Sequence, residues 1–226
     1  MSYTLKEAFK LAEIPSYAQI VVMECYNQEF RKYHNLEHIE RMCSAAPKGF
    51  MGIEGVLEAI IFHDIVKLNY QAPQGLEEAL SIAEYVSYSM NNIGFHKSPF
   101  AQGPDGNFRA LDRERFVIEA INATAYHLID QSNLSLGTKL LLDLDLFSLA
   151  LPEEEYAKIN QSIKEENLQF CTEAEWLRGR AIFLTKMLER NRIFYLQIEW
   201  EENARRNLQR ELNSLSPIGY KHNIIP

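Results

Sequence analysis

The sequence has few cysteines and no excess of positive charge. Its three cysteines, Cys25, Cys43 and Cys171, form no CxxC pair and are odd in number, which favours unpaired thiols in a reducing compartment. The formal net charge of -8 argues against a general nucleic-acid binder, because phosphate backbones are bound by basic surfaces. A small phosphorylated substrate stays compatible with this acidity, since a bound metal can supply local positive charge.

Long apolar segments are also missing. No apolar run in the sequence approaches the roughly 18 residues that a membrane-spanning helix needs. The N-terminal stretch carries acids and lacks the apolar segment of a signal peptide. We therefore expect a cytoplasmic protein that does not bind membranes. The length of 226 residues predicts a single domain, with a metal-binding core at about 16–150 and a C-terminal helical extension at about 151–226.

Alternating, strand-like runs are nearly absent, whereas apolar residues recur at three- and four-residue spacing in ten segments. These segments lie near residues 4–12, 16–30, 35–46, 54–66, 76–92, 111–128, 136–150, 152–169, 172–196 and 199–214. Ala, Leu, Glu, Lys and Arg fill them, as helix propensity favours. The sequence therefore predicts an all-α protein, a helical bundle of about 8–10 helices.

Two histidines stand close together in the stretch YHNLEH. If this stretch is helical, His34 and His38 lie four residues apart on one face. Alternatively, Asn35 caps the helix, which leaves His34 just before it and His38 in its first turn. Either geometry lets both imidazole rings reach one cleft.

Acidic residues occur in two strongly apolar segments. His63 and Asp64 follow the apolar run of residues 54–62, and Asp143 and Asp145 interrupt LLLDLDLFSL. A buried carboxylate needs a partner, and a metal held by His38 and His63 would be one. Nitrogen and carboxylate ligands suit Zn, Fe, Mn or Ni, with Mg possible at an oxygen-rich second position. Residues two apart on a helix point in nearly opposite directions, so only one of the two aspartates of LLLDLDLFSL should be a ligand.

The order of these residues resembles that of the HD superfamily of metal-dependent phosphohydrolases: a His, a His-Asp pair and a distant Asp. It is most similar to the bacterial group of predicted metal-dependent HD phosphohydrolases. The similar segments are RKYHNLEHI, AIIFHDIVK, INATAYH, LLDLDLFSL, GRAIFLTKMLERNRIFY and ENARRNLQREL. The resemblance implies an HD-domain-like helical fold and metal ligands at His38, His63, Asp64 and Asp145, with Asp143 as the alternative to Asp145.

Further roles follow from related motifs. Tyr33-His34-Asn35 followed by His38 is similar to the YHNxxH motif of cyclic-nucleotide phosphodiesterases, which implies that His34 is the general acid. Many HD hydrolases have a lysine at the position of Lys67, which could pair with a substrate phosphate. His127 is a candidate to support a ligand or to bind a second metal.

The resemblance therefore implies hydrolysis of a phosphomonoester or phosphodiester, with nucleotides among the candidate substrates. One or two divalent ions would activate water, with Asp64 as a ligand and a possible bridge between them. One alternative is an HD-fold di-iron oxygenase, in which His96 and His127 are added ligands. The other is a non-catalytic module that senses a nucleotide or a metal.

The C-terminal third is rich in charge. Its acidic helices could pack onto the core or form a homodimer surface. Its arginines are expected to form ion pairs with the surrounding acids rather than to bind phosphate; they are Arg180, Arg190, Arg192, Arg205 and Arg206.

Overall fold

The structure is a computed structural model that describes residues 4–47, 53, 55–68, 74–93, 109–131 and 133–215. Its α-helices, numbered in chain order, are α1 (Leu5–Leu11), α2 (Ser16–Tyr26), α3 (Leu36–Ala45), α4 (Val56–Phe62), α5 (Leu76–Ile93), α6 (Arg109–Thr124), α7 (Leu136–Asp145), α8 (Glu153–Asn167), α9 (Glu173–Glu189) and α10 (Glu201–Leu215). Short 3-10 turns at Phe147–Ala150 and Ile198–Trp200 complete the helical structure.

The all-α prediction is confirmed, since no strand occurs in the described part of the chain. Several helices end before the predicted segments do, among them α2 at Tyr26 and α4 at Phe62. The segment predicted at 136–150 is an α-helix only to Asp145 and then tightens into a 3-10 turn. The segment predicted at 172–196 ends at Glu189. None of the described helices has the length and apolarity that would let it cross a membrane.

Helix α4 lies at the centre of the N-terminal part. Every residue of Val56–Phe62 is buried, and the helix packs against α1, α3, α5, α6 and α7. It begins at Gly55, whose φ of +87° and close approach to Phe116 exclude a larger residue, because an added Cβ would lie 2.7 Å from that ring. Apart from the buried Glu58, the apolar composition of α4 reflects burial on all sides, and the end of the helix lies in the interior.

The buried apolar side chains form two clusters. The first joins α1 to α7 and extends from Leu5 to Leu144, and the second extends from Leu146 to Leu208 and joins the first 3-10 turn, α8, α9 and α10. Trp200 packs against both clusters. The C-terminal helices therefore pack directly against the N-terminal core.

Ion pairs hold four of the five C-terminal arginines, as the sequence predicted. The pairs are Arg180–Glu211, Arg190–Asp130, Arg205–Glu201 and Arg206–Glu202. Arg190 also donates a hydrogen bond to the carbonyl oxygen of His127 at 2.8 Å. The arginines therefore serve contacts within the chain.

Candidate metal centre

The first two histidines are placed by the cap of α3. The Asn35 side chain accepts hydrogen bonds from the backbone N–H groups of Glu37 and His38, at 3.0 and 3.4 Å. This confirms the capped geometry, in which His34 precedes the helix and His38 lies in its first turn. His38 is buried and His34 is partly exposed. The two rings therefore lie side by side, with that of His38 in the interior and that of His34 nearer the surface.

The third histidine is placed by the end of α4. Nδ1 of His63 lies 2.9 Å from the carbonyl oxygen of Ile60, and a carbonyl can only accept, so Nδ1 carries the proton. Nε2 is then the atom that faces the interior, 3.3 Å from Nε2 of His38. Asp64 follows immediately, with Oδ2 at 3.2 Å from Nε2 of His63.

Helix α7 brings the fourth group. Oδ1 of Asp145 lies 3.2 Å from Nε2 of His38 and 3.6 Å from Nε2 of His63. One ligand atom from each of His38, His63, Asp64 and Asp145 lies within 4.8 Å of every other. Two imidazole nitrogens and two carboxylate oxygens converging in this way could hold a metal ion, and this donor set suits first-row divalent metals.

The electrostatics of the cluster favour a bound cation. Burial opposes ionisation of Asp145, yet hydrogen bonds from His127, His38 and His63 lower its pKa well below the usual range. Burial likewise opposes the charged form of His63, but the neighbouring charge of Asp64 and a hydrogen bond to Asp145 raise its pKa well above the ordinary value. Both effects indicate that the half-buried carboxylates of Asp64 and Asp145 stabilise positive charge between them.

The two aspartates of α7 face different neighbours. Oδ1 of Asp143 accepts the backbone N–H of Tyr195 at 2.7 Å, and Oδ2 accepts those of Leu196 and Gln197 at 2.6 and 2.9 Å. Asp143 is thus occupied by the segment that precedes α10, and it lies outside the candidate ligand group. Of the two alternatives left open by the sequence, the structure brings Asp145 to the histidines.

His127 contacts the group through Asp145. Its Nε2 lies 2.7 Å from Oδ2 of Asp145, the oxygen that does not face His38 and His63. An imidazole in this place orients the carboxylate and satisfies its outer oxygen. The other histidines named in the sequence analysis, His96 and His222, lie outside the described residues.

Glu166 is a site residue that the sequence analysis did not find. Its Oε1 lies 2.5 Å from Nδ1 of His34, and its Oε2 accepts the backbone N–H groups of Tyr33 and His34 at 2.9 and 3.0 Å. Although burial opposes it, the charge and hydrogen bond of His34 together with the backbone donors lower the pKa of Glu166 to about 2. Because Glu166 is ionised, Nδ1 of His34 must be the donor, and Nε2 is left for the cleft.

Lys67 lies at the rim and is already paired. Its Nζ is 2.8 Å from Oε2 of Glu77, while Oε1 of Glu77 accepts the backbone N–H of Leu68 at 2.7 Å. Burial lowers the pKa of Lys67, but the charges of Asp64 and Glu77 outweigh it and raise the pKa above the usual value. The side chain therefore carries positive charge beside the cluster, where Glu77 holds it.

The cluster lies where the N-terminal helices converge, and its outer groups are held from the C-terminal part. Glu166 of α8 holds His34, and Arg190, which follows α9, holds the backbone of His127.

Compared with family models, curated proteins and solved structures, the chain matches none. Membership of the HD superfamily therefore stays a prediction that rests on the sequence motifs.

Proposed function

We propose that the chain is a metal-dependent hydrolase that cleaves a phosphomonoester or phosphodiester, with nucleotides among the candidate substrates. The observation that carries this proposal is the convergence of His38, His63, Asp64 and Asp145 within 4.8 Å, close to a histidine that is held by a buried glutamate. A metal site combined with a positioned proton donor is the minimum that such hydrolysis requires.

The four converging residues would hold the divalent ion. Mn, Fe, Zn and Ni suit two nitrogens and two oxygens, and Mg is possible at an oxygen-rich second position. When bound, such an ion lowers the pKa of water and polarises a phosphoryl oxygen. The residues fit this role because their buried carboxylates already stabilise positive charge.

His34 would protonate the leaving oxygen. Its Nδ1 is committed to Glu166, so a proton given to the leaving oxygen would have to come from Nε2. Its ring centroid lies 5.9 Å from that of His38, so the ring is beside the candidate ligands but not among them. A carboxylate that fixes the tautomer of a histidine is the arrangement on which general acid–base catalysis relies.

Lys67 would contribute positive charge at the rim. Its pairing with Glu77 keeps the ammonium close to Asp64, where it can stabilise the charge that develops on phosphoryl oxygens. A direct contact with substrate would require Lys67 to share its donors between Glu77 and the phosphate, which three ammonium protons allow.

The test compares metal content and turnover in matched variants. Protein purified without chelator is analysed for metals, and hydrolysis of phosphomonoester and phosphodiester substrates is assayed with several divalent ions. His63→Ala and Asp64→Ala should lose both metal and turnover. His34→Ala should keep the metal while turnover falls by about 10²–10⁴-fold, the usual contribution of a general acid.

Three outcomes would overturn the proposal. Full metal content and full activity in His63→Ala and Asp64→Ala would remove these residues from the site. Bound iron with dioxygen-dependent turnover, and no phosphoester hydrolysis, would instead favour an oxygenase. Tight nucleotide binding without turnover on the whole panel would favour a sensing module.

A further inference from the structure

A groove lies between α3 and α8, and none of the four candidate metal ligands is among its lining residues. Its volume is about 760 Å³, which is within the range of small-molecule sites. The rings of His34 and His38 contact Tyr33 at centroid distances of 4.7 and 5.0 Å, and Tyr33 also lines the groove. Tyr33 therefore contacts two histidines of the candidate metal centre and also lines the groove.

Arg41 of α3 lines this groove and has an unmet hydrogen-bonding requirement. Its guanidinium lies over the Tyr33 ring, 5.5 Å from the centroid, and its buried Nε has no hydrogen-bond partner in the part of the chain described here. Its only ion-pair contact there is NH1 at 3.6 Å from Glu37, whose side chain is 79% exposed. Because the ion pair with Glu37 is long, a carboxylate that reaches the terminal guanidinium nitrogens from the groove would give Arg41 a closer acceptor.

The remaining lining residues restrict the ligand. Apolar surface comes from Tyr33, Phe147, Leu151 and Ile159. The charged residues of the lining are balanced in sign, with Lys32, Arg41 and Lys158 against Glu37, Glu40 and Glu155. This balance disfavours a highly charged ligand, whereas Arg41, whose ion pair with Glu37 is long, could pair with a single negative charge.

We propose that the groove binds a small aromatic carboxylate, with the carboxylate paired to Arg41 and the ring packed on the apolar surface beside Tyr33. The planar guanidinium matches two carboxylate oxygens, and a flat ring complements the aromatic and aliphatic side chains. This proposal is independent of the hydrolase activity, because it concerns a different cavity and is tested by binding.

The binding experiment uses 1-naphthoate as the probe and the full chain in the presence of a chelator. Chemical-shift perturbation in NMR spectra should report saturable binding with a Kd of about 1 mM or below, the range expected for a ligand of this size with one charged contact. Neutral 1-naphthamide should bind at least about 10-fold more weakly, because it cannot form the charge-assisted pair.

Variants locate the site. Arg41→Gln should weaken 1-naphthoate binding by about 10-fold or more, whereas Arg206→Gln, which changes an exposed arginine of α10, should leave it unchanged. Ser162→Phe offers a second route, since a larger side chain on the α8 wall should block the groove without touching Arg41. His63→Ala should bind the probe normally.

Several results would overturn the proposal. They are the absence of saturable 1-naphthoate binding at concentrations up to about 10 mM, equal binding of the neutral amide, and unchanged binding in both Arg41→Gln and Ser162→Phe. Tighter binding of 1-naphthyl phosphate at the same residues would show that the inferred single charge is wrong. Loss of binding only in His63→Ala would place the probe in the metal centre.

Discussion

The N-terminal and C-terminal parts of the molecule use their buried charges in different ways. In the N-terminal part, the charged groups of α3, α4 and α7 point toward one another and form a candidate ligand group. In the C-terminal part, buried charges such as Arg180 and Glu166 are fully engaged by acids, histidine or backbone. The comparison shows that the N-terminal part contains the candidate metal ligands, whereas the buried charges of the C-terminal part hold side chains and backbone in place.

Polar links join the two parts in both directions. Asp143 of the N-terminal part accepts three backbone N–H groups of residues 195–197. Glu166 of the C-terminal part accepts hydrogen bonds from two backbone N–H groups and from the ring nitrogen Nδ1 of His34. Each link uses a buried carboxylate to hold a loop of the other part, so each can be broken by a single substitution.

The largest effect on stability is expected from replacing Asp143, and the same replacement at Asp145 should affect metal binding instead. Asp143→Ala leaves three buried N–H groups without an acceptor and should lower the free energy of unfolding by about 4 kcal/mol. Asp145→Ala, measured in chelator, should change it by only about 1 kcal/mol but should abolish metal retention. Urea unfolding and elemental analysis of both proteins provide the measurements.

Asp143→Asn is the matched control for this pair, because it keeps one acceptor oxygen and the same size. Its loss of stability should lie between those of the wild type and Asp143→Ala, with metal content unchanged. Loss of metal in folded Asp143→Asn would show that the two aspartates do not have separate roles.

Glu166 should make a pH-dependent contribution to stability. Its pKa of about 2 in the folded protein lies below the ordinary 4.5, so the folded state binds fewer protons between these values and loses stability as pH falls. At neutral pH the contribution is roughly 3 kcal/mol. The stability difference between wild type and Glu166→Gln should therefore be largest at pH 7 and shrink below about pH 4.5.

Glu165→Gln is the control for Glu166, since it changes the exposed neighbour on the same helix. Its stability difference from the wild type should be small at every pH. A Glu166→Gln difference that stayed constant from pH 7 to about pH 3 would contradict the assignment of the low pKa to Glu166.

A smaller effect is expected from the ion pair that closes the C-terminal part. Arg180 and Glu211 have side chains that are 7% and 8% exposed, and Arg180→Gln should cost about 2 kcal/mol, because Asn160 and Tyr156 still donate hydrogen bonds to Glu211. The exposed pair of Arg206 and Glu202 should contribute less than about 0.5 kcal/mol. Thermal unfolding of Arg180→Gln and Arg206→Gln tests this ranking, and equal losses would refute it.

Helix positions could be predicted well from the sequence, and the errors have a physical cause. The apolar periodicity of residues 172–196 continues past Glu189, where α9 ends. After that point the backbone N–H groups of Ile193 and Phe194 are bound by Glu201, and those of residues 195–197 by Asp143. Carboxylates from other elements thus replace the helical acceptors, which no local pattern could reveal.

The residues of the candidate site also divide into those that the sequence could predict and one that it could not. His38, His63 and Asp64 could be named in advance, with Asp145 and Asp143 as alternatives, because carboxylates beside histidines are unusual in apolar segments and because their order resembles that of the HD superfamily. Glu166 could not, because it stands next to Glu165 in a helix rich in acids, and its partner His34 is 132 residues away. Its own segment carries no signal of this contact.

The sequence by itself determined the all-helical architecture and the candidate ligand types, since both depend on periodicity and on local composition. Only the tertiary structure decided which aspartate of α7 meets the histidines and which glutamate holds His34. Those choices depend on distances between residues that are far apart along the chain, where packing rather than local propensity selects the partner.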